Sequence, residues 1–135
     1  MTHRGAGPTV LLVEDNERNM KLLRDVLRAT GYRPVEASTG RQAVALAVEQ
    51  RPVLVLMDMR LPDFDGVEAL GRLRADERTA AVAVVAITAQ AMQGDRERLI
   101  AAGFDGYLPK PLDVDELLAT VARHCGPGGL QARAG

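Results

Sequence analysis

The sequence predicts an α/β domain in which a β-strand followed by an α-helix repeats five times, closing into one doubly wound parallel sheet with helices on both faces. Two observations carry this expectation. Three short runs, TVLLV, VLVLM and VAVVAI, are apolar on consecutive residues rather than alternating, the pattern of parallel strands buried on both faces. Between them the apolar residues switch to helical spacing, with capping residues and glycines at the expected starts and stops.

In chain order, Thr9–Val13 is the first predicted strand. Leu22, Leu23, Val26 and Leu27 then keep helical spacing up to Gly31, where a helix should stop. Tyr32–Ala37 is a weaker strand, and Pro34, which cannot donate to a ladder, puts it at an edge. Thr39 with Gln42 has capping-box spacing and opens a helix carrying Ala43, Val44, Ala47 and Val48. Val53–Met57 is the next strand, and Asp65 with Glu68 opens the helix after it. Val82–Ile87 is the fourth strand, followed by a helix that stops at Gly103. Gly106–Leu108 reads as a second edge strand. Asp113 with Glu116 starts the last helix, which carries Leu117, Leu118 and Val121. The domain is expected over residues 9–125, with mobile Gly- and Pro-containing ends at 1–8 and 126–135.

The bulk composition narrows the function classes. A chain of 135 residues, 47% hydrophobic and 26% charged, suits one soluble domain with one core. A net charge of −1 argues against a domain that binds nucleic acid, which is usually basic. No apolar run approaches the ~20 residues of a membrane span, and no signal peptide or repeat period is visible. A single cysteine, Cys125, cannot form an internal disulfide, which fits a cytoplasmic location, and nothing beside it suggests an activated thiol. His3 and His124 fall in a terminus and at a helix end, where neither reads as a ligand.

In doubly wound sheets the functional crevice lies beyond the carboxyl ends of the strands. The first strand delivers Glu14, Asp15 and Asn16 there, the third Asp58, the fourth Thr88 and the fifth Lys110. Driving a buried strand into the carboxylate of Asp58 is costly unless a cation or hydrogen bonds compensate it. Three clustered carboxylates repel one another, and an oxygen-only donor set suits Mg²⁺. A carboxylate beside Mg²⁺ can attack a phosphoryl group and form an acyl phosphate, with Lys110 and the Thr88 hydroxyl meeting the transferred charge. Of 17 basic residues only Lys21 and Lys110 are lysine, so a lysine between two prolines suggests that a compact ammonium is required.

The blocks LLVEDN, LMDMRLPDFDG, ITA and GYLPKP resemble, in order and spacing, those of response-regulator receiver domains, over roughly Thr9 to His124. The resemblance implies a flavodoxin-like sheet with strand order 2-1-3-4-5. It implies Asp58 as phosphoacceptor, and Glu14, Asp15 and Asp58 holding Mg²⁺ with the backbone carbonyl of Arg60. Thr88 and Lys110 would engage the phosphoryl group, the Lys110–Pro111 bond would be cis, and Tyr107 would occupy an aromatic switch position coupled to Thr88. The donor would be a histidine kinase or a histidine phosphotransfer protein. The output would be altered protein–protein binding through the face of helix four, strand five and helix five.

Each residue also has a plainer reading. Asp58 alone could be a strand-end turn former, and Glu14 and Asp15 could cap the first helix, although Asn16 serves that purpose as well. Thr88 could be a β-branched strand residue, Lys110 a solvated loop charge and Tyr107 a half-buried edge aromatic. Asp63 and Asp65 read as a loop acid and a helix cap. A flavodoxin would need a hydroxyl- and glycine-rich phosphate loop in place of EDNERN, and a P-loop nucleotidase a GxxxxGK[ST] that is absent. A haloacid-dehalogenase-type phosphatase wants an aspartate where Arg60 stands. The expected function is therefore a two-component response regulator, monomeric by default, resembling phosphorelay or cell-cycle and polarity regulators. Met1, the glycine-rich ending and the lack of an effector motif suggest a stand-alone type; a receiver of a hybrid kinase or larger regulator, or a phosphorylation-independent pseudo-receiver, are the alternatives. Asn19, Met20 and Leu23 are expected near the site mouth as donor contacts, with a core role for Met20 and Leu23 as the competing reading.

Overall fold

The computed structural model describes residues 7–89 and 94–126. The elements run β1 (Thr9–Val13), α1 (Glu17–Ala29), β2 (Arg33–Ala37), α2 (Gly40–Gln50), β3 (Leu54–Asp58), α3 (Gly66–Ala75), β4 (Ala83–Thr88), α4 (Asp95–Ala102), β5 (Gly106–Pro109) and α5 (Val114–Cys125). All strand pairs are parallel, in the order β2-β1-β3-β4-β5. The two weaker runs are the edges, and the most apolar runs fill the centre. His3 lies outside the described residues, as does most of the two ends expected to be mobile.

Alternate residues of each strand serve opposite faces, which is why the runs are apolar throughout. Val10, Leu12, Leu54, Leu56, Val85 and Ile87 meet Met20, Leu23 and Leu27 of α1 and Leu117 and Val121 of α5. Leu11, Val13, Val55, Met57, Val84 and Ala86 meet Ala43 and Ala47 of α2, Ala69, Leu70 and Leu73 of α3, and Leu99 of α4. Two helices therefore cover one face and three the other. Asn16, Thr39, Asp65 and Asp113 each accept the backbone N–H three residues on, and so cap α1, α2, α3 and α5. Gly31 and Gly103 have φ of 92° and 114°, the left-handed conformation that lets the chain leave a helix.

Two boundaries differ from expectation in a way that matters. β3 and β4 each run one residue further, to Asp58 and Thr88, because Asp58 pairs in register with Ile87 and Thr88 with Pro109. Both polar residues are thus held by the sheet rather than by loops. The expected donor contacts need correction. Met20 is 4% exposed and Leu23 fully buried, both within the core under α1. Positions 20, 23 and 27 are one helical stripe facing the sheet, so Met20 fills core space. Asn19 is half-buried beside them.

Candidate functional site

Parallel strands end at the same edge, so β1, β3, β4 and β5 bring their terminal residues together. Carboxylate oxygens of Glu14, Asp15 and Asp58 lie within 4.8 Å of one another. Glu14 and Asp58 are buried, and Asp15 is exposed at the mouth. The Lys110 ammonium stands 3.1 Å from Asp58 Oδ2 and 3.6 Å from Glu14 Oε1, with the Lys110–Pro111 peptide cis. Lys110 N–H donates to the Thr88 carbonyl at 2.8 Å, tying the ends of β4 and β5. Thr88, 8% exposed, lies beside Asp58 at the next strand end. Tyr107 is half-buried on β5, against the core beneath α2–α4. It sits with Arg96 and Ile100 of α4 and Arg123 of α5 around a shallow cleft.

The hydrogen bonds show what this cluster is built to hold. Asp58 Oδ1 accepts from the Arg60 N–H at 3.0 Å, and Glu14 Oε2 from the Asn16 N–H at 3.1 Å. Glu14 Oε1 has no hydrogen-bond partner, although it is buried. A buried carboxylate oxygen that accepts no hydrogen bond, faces two further acids and has only the Lys110 ammonium at 3.6 Å suits a further cation. The donor set is entirely oxygen, which fits a hard divalent ion.

Burial, reinforced by Asp58 alongside, pushes the Glu14 carboxyl up to about 7. The folded protein therefore holds this proton more tightly than the unfolded chain, whose carboxyl titrates near 4.5. In a chelator, Glu14 contributes stability that is complete below pH 4.5 and lost as pH rises to about 7. The expected result is a melting temperature whose fall over that window is flattened in Glu14→Gln. An unchanged slope in the variant would count against the assignment.

Several residues escaped sequence reasoning. Asp63, read as an ordinary loop acid, accepts from Gly40 N–H at 2.8 Å and Arg41 N–H at 2.9 Å, at the start of α2. Arg74 donates to the carbonyls of Ala80, Val82 and Gly103 and to Asp105, joining α3 to the β4 and β5 entrances. These bonds span up to 31 residues and have no sequence period that would reveal them. Cys125 is half-buried, and burial pushes its thiol up to about 11, which disfavours the thiolate.

A 2-1-3-4-5 parallel sheet with three acids, a threonine and a lysine at its carboxyl edge defines a receiver of two-component signal transduction. The chain belongs to the response regulator receiver domain family, whose model it matches over residues 10–122. The polar-differentiation response regulator DivK of Brucella anthropi is 42% identical to it over 118 residues, covering 87% of this chain and 96% of DivK. Among solved structures it is similar to the receiver domain of a sensor histidine kinase from Pseudomonas aeruginosa. That crystal structure has a magnesium ion coordinated in the active-site cleft; it is 43% identical, with a TM-score of 0.81, covering 89% of this chain and 98% of that one. The receiver domain of Saccharomyces cerevisiae Ssk1, co-crystallised with the histidine phosphotransfer protein Ypd1, is 30% identical with a TM-score of 0.80, covering 88% and 90%. No helix among the described residues is long and apolar enough to cross a membrane.

Proposed function

We propose that Asp58 is the phosphoacceptor and that residues 9–125 act as a phosphorylation-controlled binding module. The observation that carries the reading is the Lys110 ammonium set 3.1 Å from a buried Asp58 oxygen, beside a buried Glu14 oxygen that accepts no hydrogen bond. A carboxylate oxygen of Asp58 attacks the phosphorus of a phosphohistidine. The P–N bond breaks, the imidazole nitrogen leaves with the electron pair, and Asp58 becomes an acyl phosphate. The phosphohistidine belongs to a histidine kinase or a histidine phosphotransfer protein, a reading supported by the complex of the Ssk1 receiver.

Glu14, Asp15 and Asp58, with the carbonyl of Arg60, would hold Mg²⁺, as the magnesium in the Pseudomonas receiver supports. Bound there, the ion supplies positive charge for the phosphoryl oxygens. Lys110 adds its ammonium from the β5 side, and Thr88 offers its hydroxyl from β4. Movement of Thr88 toward the phosphoryl group would leave room for Tyr107 to turn inward, altering the α4–β5–α5 face for a protein target. Asp58 is modified and not regenerated within one event, so the chain is a signalling domain rather than a turnover enzyme. Its likeness to DivK, a polar-differentiation response regulator, supports a role in polarity or cell-cycle control.

Intact mass after incubation with acetyl phosphate tests this directly. The expected result is a single phosphoryl gain that requires both Mg²⁺ and Asp58, and that vanishes in Asp58→Asn. A gain that persists in Asp58→Asn would refute the assignment.

A further inference from the structure

Asp63 sits five residues after Asp58, in the loop between β3 and α3, and its hydrogen bonds go elsewhere than to the acid cluster. Its side chain instead reaches a different element. Oδ1 accepts from Gly40 N–H and from Phe64 N–H at 3.0 Å, while Oδ2 accepts from Arg41 N–H. Gly40 and Arg41 begin α2, which already has a cap in Thr39, accepting from Gln42 N–H at 3.0 Å. Asp63 adds a carboxylate from another loop to that helix start, taking the Gly40 and Arg41 N–H groups that Thr39 leaves open.

The bond closes a ring around the site. Glu14 N–H donates to the Ala37 carbonyl at 3.0 Å. Three residues later the chain reaches Gly40 and Asp63, and from Asp63 the loop leads back through Arg60 to Asp58. Asp63 thus ties the strand carrying Asp58 to the turn that holds Glu14. The loop is further fastened around it. Phe64 fills the space at Gly40, where a Cβ would collide with the ring. Arg72 lies over the Phe64 ring at 4.2 Å, steered by Glu68 at 3.0 Å. Gly66 N–H donates to the Met59 carbonyl at 3.0 Å, and a Cβ there would come within 2.9 Å of Met59 Sδ.

We propose that Asp63 is a positioning residue for phosphoryl transfer: by bridging the β3–α3 loop to the N-terminus of α2, it holds the Met59–Arg60 backbone and Asp58 in register with Glu14. This rests on the reading of Asp58 as phosphoacceptor. Misplacing a pre-organised group by a fraction of an ångström slows a reaction without unfolding the protein.

The test compares Asp63→Ala with Thr39→Ala, which removes the other cap of the same helix and leaves the loop bridged. In Asp63→Ala, amide hydrogen exchange at Arg60 and Gly66 is expected to accelerate about tenfold, and phosphorylation by acetyl phosphate in saturating Mg²⁺ to slow about tenfold. Thr39→Ala should change both by less than about twofold while lowering the melting temperature comparably. Asp63→Asn, which keeps a carbonyl acceptor, should restore most of the rate. Equal exchange and equal rates in the two alanine variants would overturn the proposal. A wild-type chain that takes no phosphoryl group would overturn the Asp58 reading instead, while the exchange comparison would still decide whether Asp63 holds the loop.

Discussion

Lys110→Ala is expected to slow phosphorylation of Asp58 by about two to three orders of magnitude, in line with losing one pre-organised charge partner of a transferring group. The ammonium is the one cation within 4 Å of Asp58 among the described residues, and it also faces Glu14. Its removal has an opposite effect on the ground state. Two buried carboxylates lose a counter-charge, so Mg²⁺ should bind as tightly as before or more tightly. That divergence separates a local electrostatic loss from misfolding, which would weaken both. Lys110→Arg should recover only part of the rate, because a planar guanidinium cannot occupy the point that a compact ammonium fills. The checks are an intact-mass time course with acetyl phosphate and a calorimetric Mg²⁺ titration. A rate within about threefold of wild type in Lys110→Ala would remove the lysine from the mechanism.

Leu56→Ala should be the most damaging of the conservative core changes, costing about 3 kcal/mol. Leu56 is fully buried in the central strand, in register with Leu12 on one side and Val85 on the other. It packs with α1 and α5 residues, and the neighbouring strands are held too firmly to close on a cavity. Against a total of roughly 5–15 kcal/mol, this lowers the melting temperature by about 10 °C. Val53, one residue before the strand and 46% exposed, provides the contrast. Val53→Ala should change stability by less than about 0.5 kcal/mol. Chemical denaturation of the pair checks both values, and equal costs would mean that the β3 assignment is out of register.

Much of the fold was legible because parallel strands buried on both faces leave uninterrupted apolar runs, and helix starts leave short polar signatures. Thr39, Asp65 and Asp113 are read from spacing and found as caps. α4 was the least legible helix. It is eight residues long, buries only Leu99 and starts at Gly94 without a side-chain cap, so only its stop at Gly103 left a mark. Met20 was misplaced for a related reason. An apolar residue near a helix start reads the same whether it faces the sheet or the site mouth until the helix is docked.

By itself the sequence determined the order of elements, the two edge strands and the convergence of Glu14, Asp15, Asp58, Thr88 and Lys110. These follow from local periodicity and from the rule that parallel strands end at one edge. Tertiary structure alone decided that Glu14 Oε1 accepts no hydrogen bond, that Lys110 spans Asp58 and Glu14, and that Asp63 grips α2. Those outcomes depend on distances between residues 22 to 96 positions apart along the chain. Such distances are set by how helices seat on a twisted sheet, and no local pattern encodes them.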